Sequence, residues 1–265
     1  MKAVIAAAGY GTRMLPVTKS IPKELLPVGS KPVIQYIVEW IVGADIKDIL
    51  IITSAWKQAI EDYFDKNYEL EEILRRKWKT ELLDEINKPK YLANYSFVKQ
   101  KKQLWFAHAV LETKPWINDD YFLLSVWDEI FQPEVYKEIL DIHKRTWWAV
   151  IWLQEVVEED IHKYGIVDIK WDKVVGMVEK PSLYEAPSNL RIIGIYILPK
   201  KVFSIIENLE IDEKTGEILL TDALDIIIKE DWLYPYITKY KTWDIGTPEK
   251  WLKANVEIAD LNYNL

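Results

Sequence analysis

KAVIAAAGYGTRMLPVTKSIPKE, residues 2–24, joins an apolar run to a glycine turn and sets the class of architecture. Lys2–Ala7 is an apolar run of the length of one buried strand, and it passes straight into Ala8-Gly9-Tyr10-Gly11-Thr12-Arg13. Two glycines two apart let the backbone turn its N–H groups toward a single point, and a concavity of such donors binds phosphate oxygens. Arg13 and Lys23 bring fixed positive charge to the same place. The Walker pattern is absent, and the dinucleotide pattern fails at its third glycine, where Met14 stands, with no acidic residue well placed about 20 positions on. These departures disfavour a P-loop kinase and a nicotinamide-dependent dehydrogenase.

Outward from that stretch the pattern alternates. Pro32 opens a segment with Val33, Ile34, Ile37, Val38, Ile41 and Val42 at helical spacing, which suits proline in a first turn. Asp48–Thr53 reads as the next buried strand. Glu69–Ile86 reads as one helix with Leu70, Leu74, Trp78, Leu82 and Ile86 in a stripe and Glu71–Arg75 and Glu72–Arg76 pairs on its wet face. Strand-like runs recur at 95–99, 121–126, 149–156, 174–179 and 192–198. Helical stretches fall at 107–113, 133–145, 200–208 and 221–229. Strand, loop and helix in this alternation predict a mostly parallel sheet with helices on both faces, in which ligands collect at the carboxyl ends of strands.

Composition narrows the function. Of 265 residues 49% are hydrophobic and 29% charged, enough for a sizeable core, and neither repeats nor a Gly/Ser linker divide the chain, so residues 1–265 read as one domain. A formal charge of −8 argues against nucleic acid as partner, since phosphate backbones want a basic surface. Without cysteine, and with His108, His143 and His162 lacking ligand spacing, no thiolate or histidine metal site is expected. The start of the chain does not read as a signal peptide, and no window of about 18 apolar residues occurs, so no membrane partner and a cytoplasmic location are expected.

The stretch AAGYGTRMLPVTKSIPKELLP, followed in order by KPVIQYIVE, AIEDYFD, ELEEIL, LLDEI, HAVLETKP, YGIVD, VEKP, APSN, TDAL and DIGTPEKWLKAN, resembles the sugar-1-phosphate nucleotidyltransferase family from Met1 to about Asn255. Within it the likeness runs toward the bacterial UTP–glucose-1-phosphate uridylyltransferases. The resemblance implies an α/β, three-layer Rossmann-like nucleotidyltransferase fold with a mixed, mostly parallel central sheet. It also implies UTP and glucose 1-phosphate as substrates, Mg2+ as cofactor, and a homo-oligomer, dimer or tetramer. A thymidylyltransferase, another sugar-1-phosphate uridylyltransferase and a non-catalytic nucleotide-sugar-binding homologue are the alternatives.

Site residues follow from the same resemblance. Asp128, after the run YFLLSV, and Asp244, in Thr242-Trp243-Asp244, match the family's metal aspartates, and carboxylates at strand ends suit a hard ion that also takes phosphate oxygens and water. Arg13, Lys23, Lys180 and Asp128 are the expected catalytic set. Ala8, Gly9, Gly11, Thr12, Glu24, Gln100, Gly165 and Glu179 are the expected substrate-binding set, Gln100 reading the base because an amide both donates and accepts. His108 is assigned to packing rather than acid–base work.

One feature of the composition is abnormal. Glycine numbers 9 and tryptophan 13, although ordinary proteins carry ~7% glycine. Trp105, Trp127, Trp147, Trp148 and Trp243 stand where the family pattern has glycine, and Trp56, Trp152, Trp171 and Trp232 look glycine-like in context. A UGA codon read as glycine by the host and as tryptophan by another translation table produces both the deficit and the surplus. Trp78 and Trp251 are expected to be true tryptophans on helical faces.

Overall fold

A computed structural model describes residues 1–102, 104–211 and 217–262. The first apolar run is β1 (Ala3–Ala6), buried throughout. The glycine turn and three short 3-10 turns lead to a hairpin of β2 (Pro27–Val28) and β3 (Lys31–Pro32). Helix α1 (Val33–Gly43) starts immediately after Pro32 and buries Val33, Ile34, Ile37, Val38 and Ile41, the residues its spacing put on one face. Then come β4 (Asp48–Thr53) and the short α2 (Gln58–Tyr63).

The single helix expected over Glu69–Ile86 is two: α3 (Tyr68–Arg76) and α4 (Thr80–Leu92). Trp78 lies between them in the left-handed region, φ 54°, with 88% of its surface exposed. It packs on no helix face. The predicted Glu71–Arg75 and Glu72–Arg76 ion pairs do form, both at 2.8 Å. Side-chain periodicity ran through a break that lies in the backbone, which is why the spacing missed it.

The remaining elements are β5 (Asn94–Lys99), α5 (Trp105–Leu111), β6 (Tyr121–Val126), β7 (Glu129–Ile130), α6 (Glu134–Thr146), β8 (Ala149–Glu155), β9 (Gly165–Lys170) and β10 (Lys173–Glu179). They are followed by β11 (Leu190–Pro199), α7 (Val202–Glu207), α8 (Leu220–Glu230), β12 (Leu233–Ile237), β13 (Trp243–Asp244) and α9 (Pro248–Asn262). Strands β5, β4, β1 and β6 lie side by side in parallel, with Ile5 opposite Ile51 and Ser125. Beyond β6 the sheet turns antiparallel at β11, which also pairs with β8 and β9, while β12 joins β8 in parallel. The result is a mixed sheet with helices on both sides.

Alternation along β1 builds the layers. Val4 and Ala6 join a cluster that includes Ala107, Val110, Val202, Phe203, Ala223 and Leu224 from α5, α7 and α8. Ala3, Ile5 and Ala7 join the opposite cluster with α1 and α6. Each valine, leucine, isoleucine or phenylalanine side chain taken out of water in these clusters contributes about 1.5–3 kcal/mol. A third, smaller cluster gathers Val28, Val33, Trp127, Ile130, Trp243, Ile245, Ala254 and Ile258 under α9. Strand β11 crosses β6 closely at Gly194, where φ is +90° and a β-carbon would stand 2.6 Å from Cγ2 of Val126.

Candidate active site

Two residues distant in the chain meet because two minimal strands pair. β7 runs antiparallel to β13 with Glu129 opposite Asp244, and the Ile245 N–H donates to the carbonyl of Asp128 at 3.0 Å. The Asp244 carboxylate accepts from the Gly246 N–H at 2.8 Å and from the Lys250 ammonium at 2.5 Å. Arg13 reaches in from the glycine turn, its Nη2 3.6 Å from Oδ2 of Asp128. Arg13, Asp128, Gly165, Glu179, Lys180 and Asp244 line one hollow of about 560 Å³ together with residues of β11 and of 217–221.

Glu179 ends β10, and Lys180 follows it with its Nζ 3.6 Å from the Glu179 carboxylate. A β-carbon on Gly165 would lie 3.1 Å from Oε2 of Glu179 and 3.0 Å from Ile192, so glycine keeps that wall of the hollow open. The two aspartates are a sparse donor set: among the described residues no group of three or more His, Cys, Asp or Glu side chains converges. Two carboxylates nevertheless fit Mg2+, which is held by one or two carboxylates plus phosphate oxygens and water.

Beneath the aspartates lies a polar clamp that the sequence reading missed. Arg191, buried at the start of β11, donates to both carboxylate oxygens of Glu129, one of them at 3.0 Å, and to Gln154 at 2.7 Å. It also reaches Thr242 at 3.3 Å and sits 4.6 Å from the centre of the Tyr164 ring. Burial pushes the Glu129 carboxyl up to about 7 against the pull of Arg191. The available signal was one arginine inside the apolar run LRIIGIYIL.

The glycine turn carries the remaining predicted residues. Gly11 is left-handed, φ 72°, accepts at its carbonyl from the Thr18 hydroxyl at 2.8 Å, and leaves room for Lys23, whose Cδ would stand 2.9 Å from a β-carbon there. The Lys23 ammonium sits 3.9 Å above the Trp127 ring. Burial lowers its pKa, with Glu24 and Asp128 pulling the other way. Ala8 is buried, and Thr12 opens a 3-10 turn beside a separate hollow with Tyr10, Leu15 and Trp56.

Glu24, expected among the substrate-binding residues, is fully buried with both carboxylate oxygens on the Lys57 ammonium, at 2.6 and 2.8 Å. Lys57 also donates to the carbonyl of Ala7 at 2.7 Å, and burial lowers its pKa to about 8 against the attraction of Glu24. Nothing in the spacing of Glu24 and Lys57 announced this pair.

Gln100 follows β5, its main-chain N–H bonded to Thr53 at 2.9 Å and its side chain buried. Its amide nitrogen donates to the carbonyl of residue 105 at 3.1 Å and lies 3.3 Å from Nδ1 of His108. Trp127 and Trp243, which flank the two aspartates, are buried, and the Trp243 indole donates to Glu257 at 2.8 Å. Trp251 lies on α9, packs against the small cluster beneath it and donates to the carbonyl of Pro27 at 2.9 Å.

The description of the nucleotidyl transferase family matches residues 2–260, nearly the whole chain. The chain belongs to that family. A Staphylococcus saprophyticus protein named UTP–glucose-1-phosphate uridylyltransferase 1 is 41% identical over 97% of this chain and 92% of its own length. Among solved structures, the UTP-bound UGPase from Acinetobacter baumannii superposes with a TM-score of 0.90 at 35% identity, over 97% of this chain and 92% of that one. A UDP-glucose pyrophosphorylase complexed with UDP-glucose gives 0.88 at 34% identity, over 98% of both chains. Nucleotidyl transferases of this family generally use a divalent metal. No helix among the described residues is long and apolar enough to cross a membrane.

Proposed function

We propose that this chain is a UTP–glucose-1-phosphate uridylyltransferase, making UDP-glucose and pyrophosphate from UTP and glucose 1-phosphate. The observation that carries the reading is the meeting of Arg13, Asp128, Asp244, Glu179 and Lys180 around one hollow next to the glycine turn. A phosphate oxygen of glucose 1-phosphate attacks the α-phosphorus in line. The P–O bond to the β-phosphate breaks, and pyrophosphate leaves without a covalent enzyme intermediate.

Catalysis of this kind is positioning and charge neutralisation. Asp128 and Asp244 would hold Mg2+, which supplies positive charge to the phosphate oxygens when bound. Lys180 holds the sugar phosphate and Glu179 accepts hydrogen bonds from glucose hydroxyls, with Gly165 leaving space for the ring. Arg13 and the amides of residues 8–12 hold the departing pyrophosphate. Lys23, screened by little water, neutralises charge at the α-phosphate, and Gln100 reads the uracil edge.

Pyrophosphate release measured with UTP and dTTP against a panel of sugar 1-phosphates tests the assignment. UTP with glucose 1-phosphate is expected to lead the panel. Faster turnover with dTTP would move the chain to the thymidylyltransferases, and UDP-glucose binding without any turnover would make it a non-catalytic homologue.

A further inference from the structure

We infer that His108 and the main-chain carbonyl of residue 105 lock the Gln100 amide in one sense, and that the lock makes the site select a pyrimidine carrying an N3–H. The inference rests on the proposed placement of the base at Gln100. A carbonyl oxygen only accepts, so the group of Gln100 that lies 3.1 Å from the residue 105 carbonyl must be its nitrogen. The same nitrogen lies 3.3 Å from Nδ1 of His108, and the opposite ring nitrogen of His108 lies 3.7 Å from the Glu112 carboxylate. A proton on Nε2 facing Glu112 leaves Nδ1 as a lone pair, which accepts the second amide hydrogen. Both hydrogens of the amide are thereby committed, and among the described residues nothing donates to its Oε1. An acceptor held in that sense pairs with the N3–H of uracil or thymine and opposes the N3 lone pair of cytosine. His108 is therefore a positioning residue.

The experiment compares UTP with CTP in the chain as written and in a Trp105→Gly background, reading kcat/KM for pyrophosphate release and dissociation constants by titration. His108→Leu is expected to reduce the UTP:CTP ratio by about tenfold, the usual effect of freeing one hydrogen bond that fixes a donor–acceptor sense, while leaving the thermal midpoint unchanged. His108→Asn, which keeps an acceptor, is expected to recover part of the ratio. An unchanged ratio in His108→Leu overturns the inference. A Trp105→Gly background that binds neither nucleotide overturns the proposed function itself, and this inference with it.

Four tryptophans carry a second, independent inference. Among the described residues seven non-glycine positions have positive φ, and four of them are Trp78, Trp105, Trp147 and Trp171, at φ 54°, 69°, 59° and 55°. A β-carbon in that region crowds the following carbonyl, and β-unbranched polar residues or glycine are what normally occupy it. Their indoles recover little by packing, being 88%, 52%, 72% and 93% exposed. Trp147 ends α6 and Trp171 precedes β10, positions where helix caps and hairpin turns take glycine. Trp152 adds a buried indole N–H without an acceptor. With 9 glycines against 13 tryptophans in the chain, the geometry points to glycine at 78, 105, 147 and 171 in the polypeptide its native host makes, through UGA codons read as glycine.

Peptide masses from the protein isolated from host cells, set against the codons of the gene, decide the matter. Glycine masses over UGA codons are expected at the four positions, and UGG at them overturns the inference. In the chain as written, Trp78→Gly, Trp147→Gly and Trp171→Gly are each expected to raise the thermal midpoint, whereas Trp251→Gly lowers it by removing the bond to Pro27. Lower midpoints in the first three would also count against glycine.

Discussion

Asp128 and Asp244 owe their shared position to main-chain pairing, not to any attraction between them. Two like charges are tolerated there because Arg13 approaches one and Lys250 holds the other. Asp128→Asn keeps the shape of the side chain and removes its charge, so turnover is expected to fall by at least about a hundredfold, the scale of losing one preorganised charge contact, with the circular-dichroism spectrum unchanged. Normal pyrophosphate release from that variant would remove Asp128 from the metal site. Residue 105 meets the Gln100 amide through its main-chain carbonyl, and the Trp127 ring stands 3.9 Å from the Lys23 ammonium. Overpacking costs about 1–3 kcal/mol per site, so Trp105→Gly with Trp127→Gly is expected to tighten UTP binding about tenfold or more by calorimetric titration. The roles proposed for these residues come from motif order; the partner of Glu24 could not, because a buried ion pair between residues so far apart leaves no local pattern.

Among the elements, the Arg191 clamp ties β11 to β7 beneath the aspartates. Removing one partner of a buried pair strands the other charge, a loss of about 3–5 kcal/mol. Arg191→Met is therefore expected to lower the urea midpoint accordingly and to weaken Mn2+ binding followed by electron paramagnetic resonance, because Glu129 lies directly opposite Asp244. Lowered stability with unchanged ion binding would make the clamp purely structural. Helix α1 was legible because its apolar face and its initiating proline agree, and the β1 strand because it is apolar throughout. The break between α3 and α4 was not legible, since Leu70, Leu74 and Leu82 continue a helical spacing across a left-handed residue.

Across the whole molecule, the site sits at the carboxyl ends of β1, β6 and β10, where the layers leave an opening between helices. A ligand that binds only the folded chain stabilises it by mass action, about 2.7 kcal/mol at a hundredfold excess over its dissociation constant. UTP with Mg2+ at that level is expected to raise the thermal midpoint measurably, and the Asp128→Asn variant to lose most of the rise. An equal rise with free uridine would show that the phosphate apparatus contributes nothing to binding.

Local patterning set the alternation of strand and helix, the two apolar faces of β1 and the order of the motifs, because periodicity and turn chemistry act between near neighbours. Tertiary structure decided which distant groups meet. The Glu24–Lys57 pair and the Arg191 clamp depend on sheet order and on closing long loops, and burial fixes their partners only once the layers have packed. The left-handed tryptophans divide between the two levels: at 105, 147 and 171 the sequence pattern already marked them as out of place, whereas Trp78 read as a true helical tryptophan until backbone geometry supplied the steric reason.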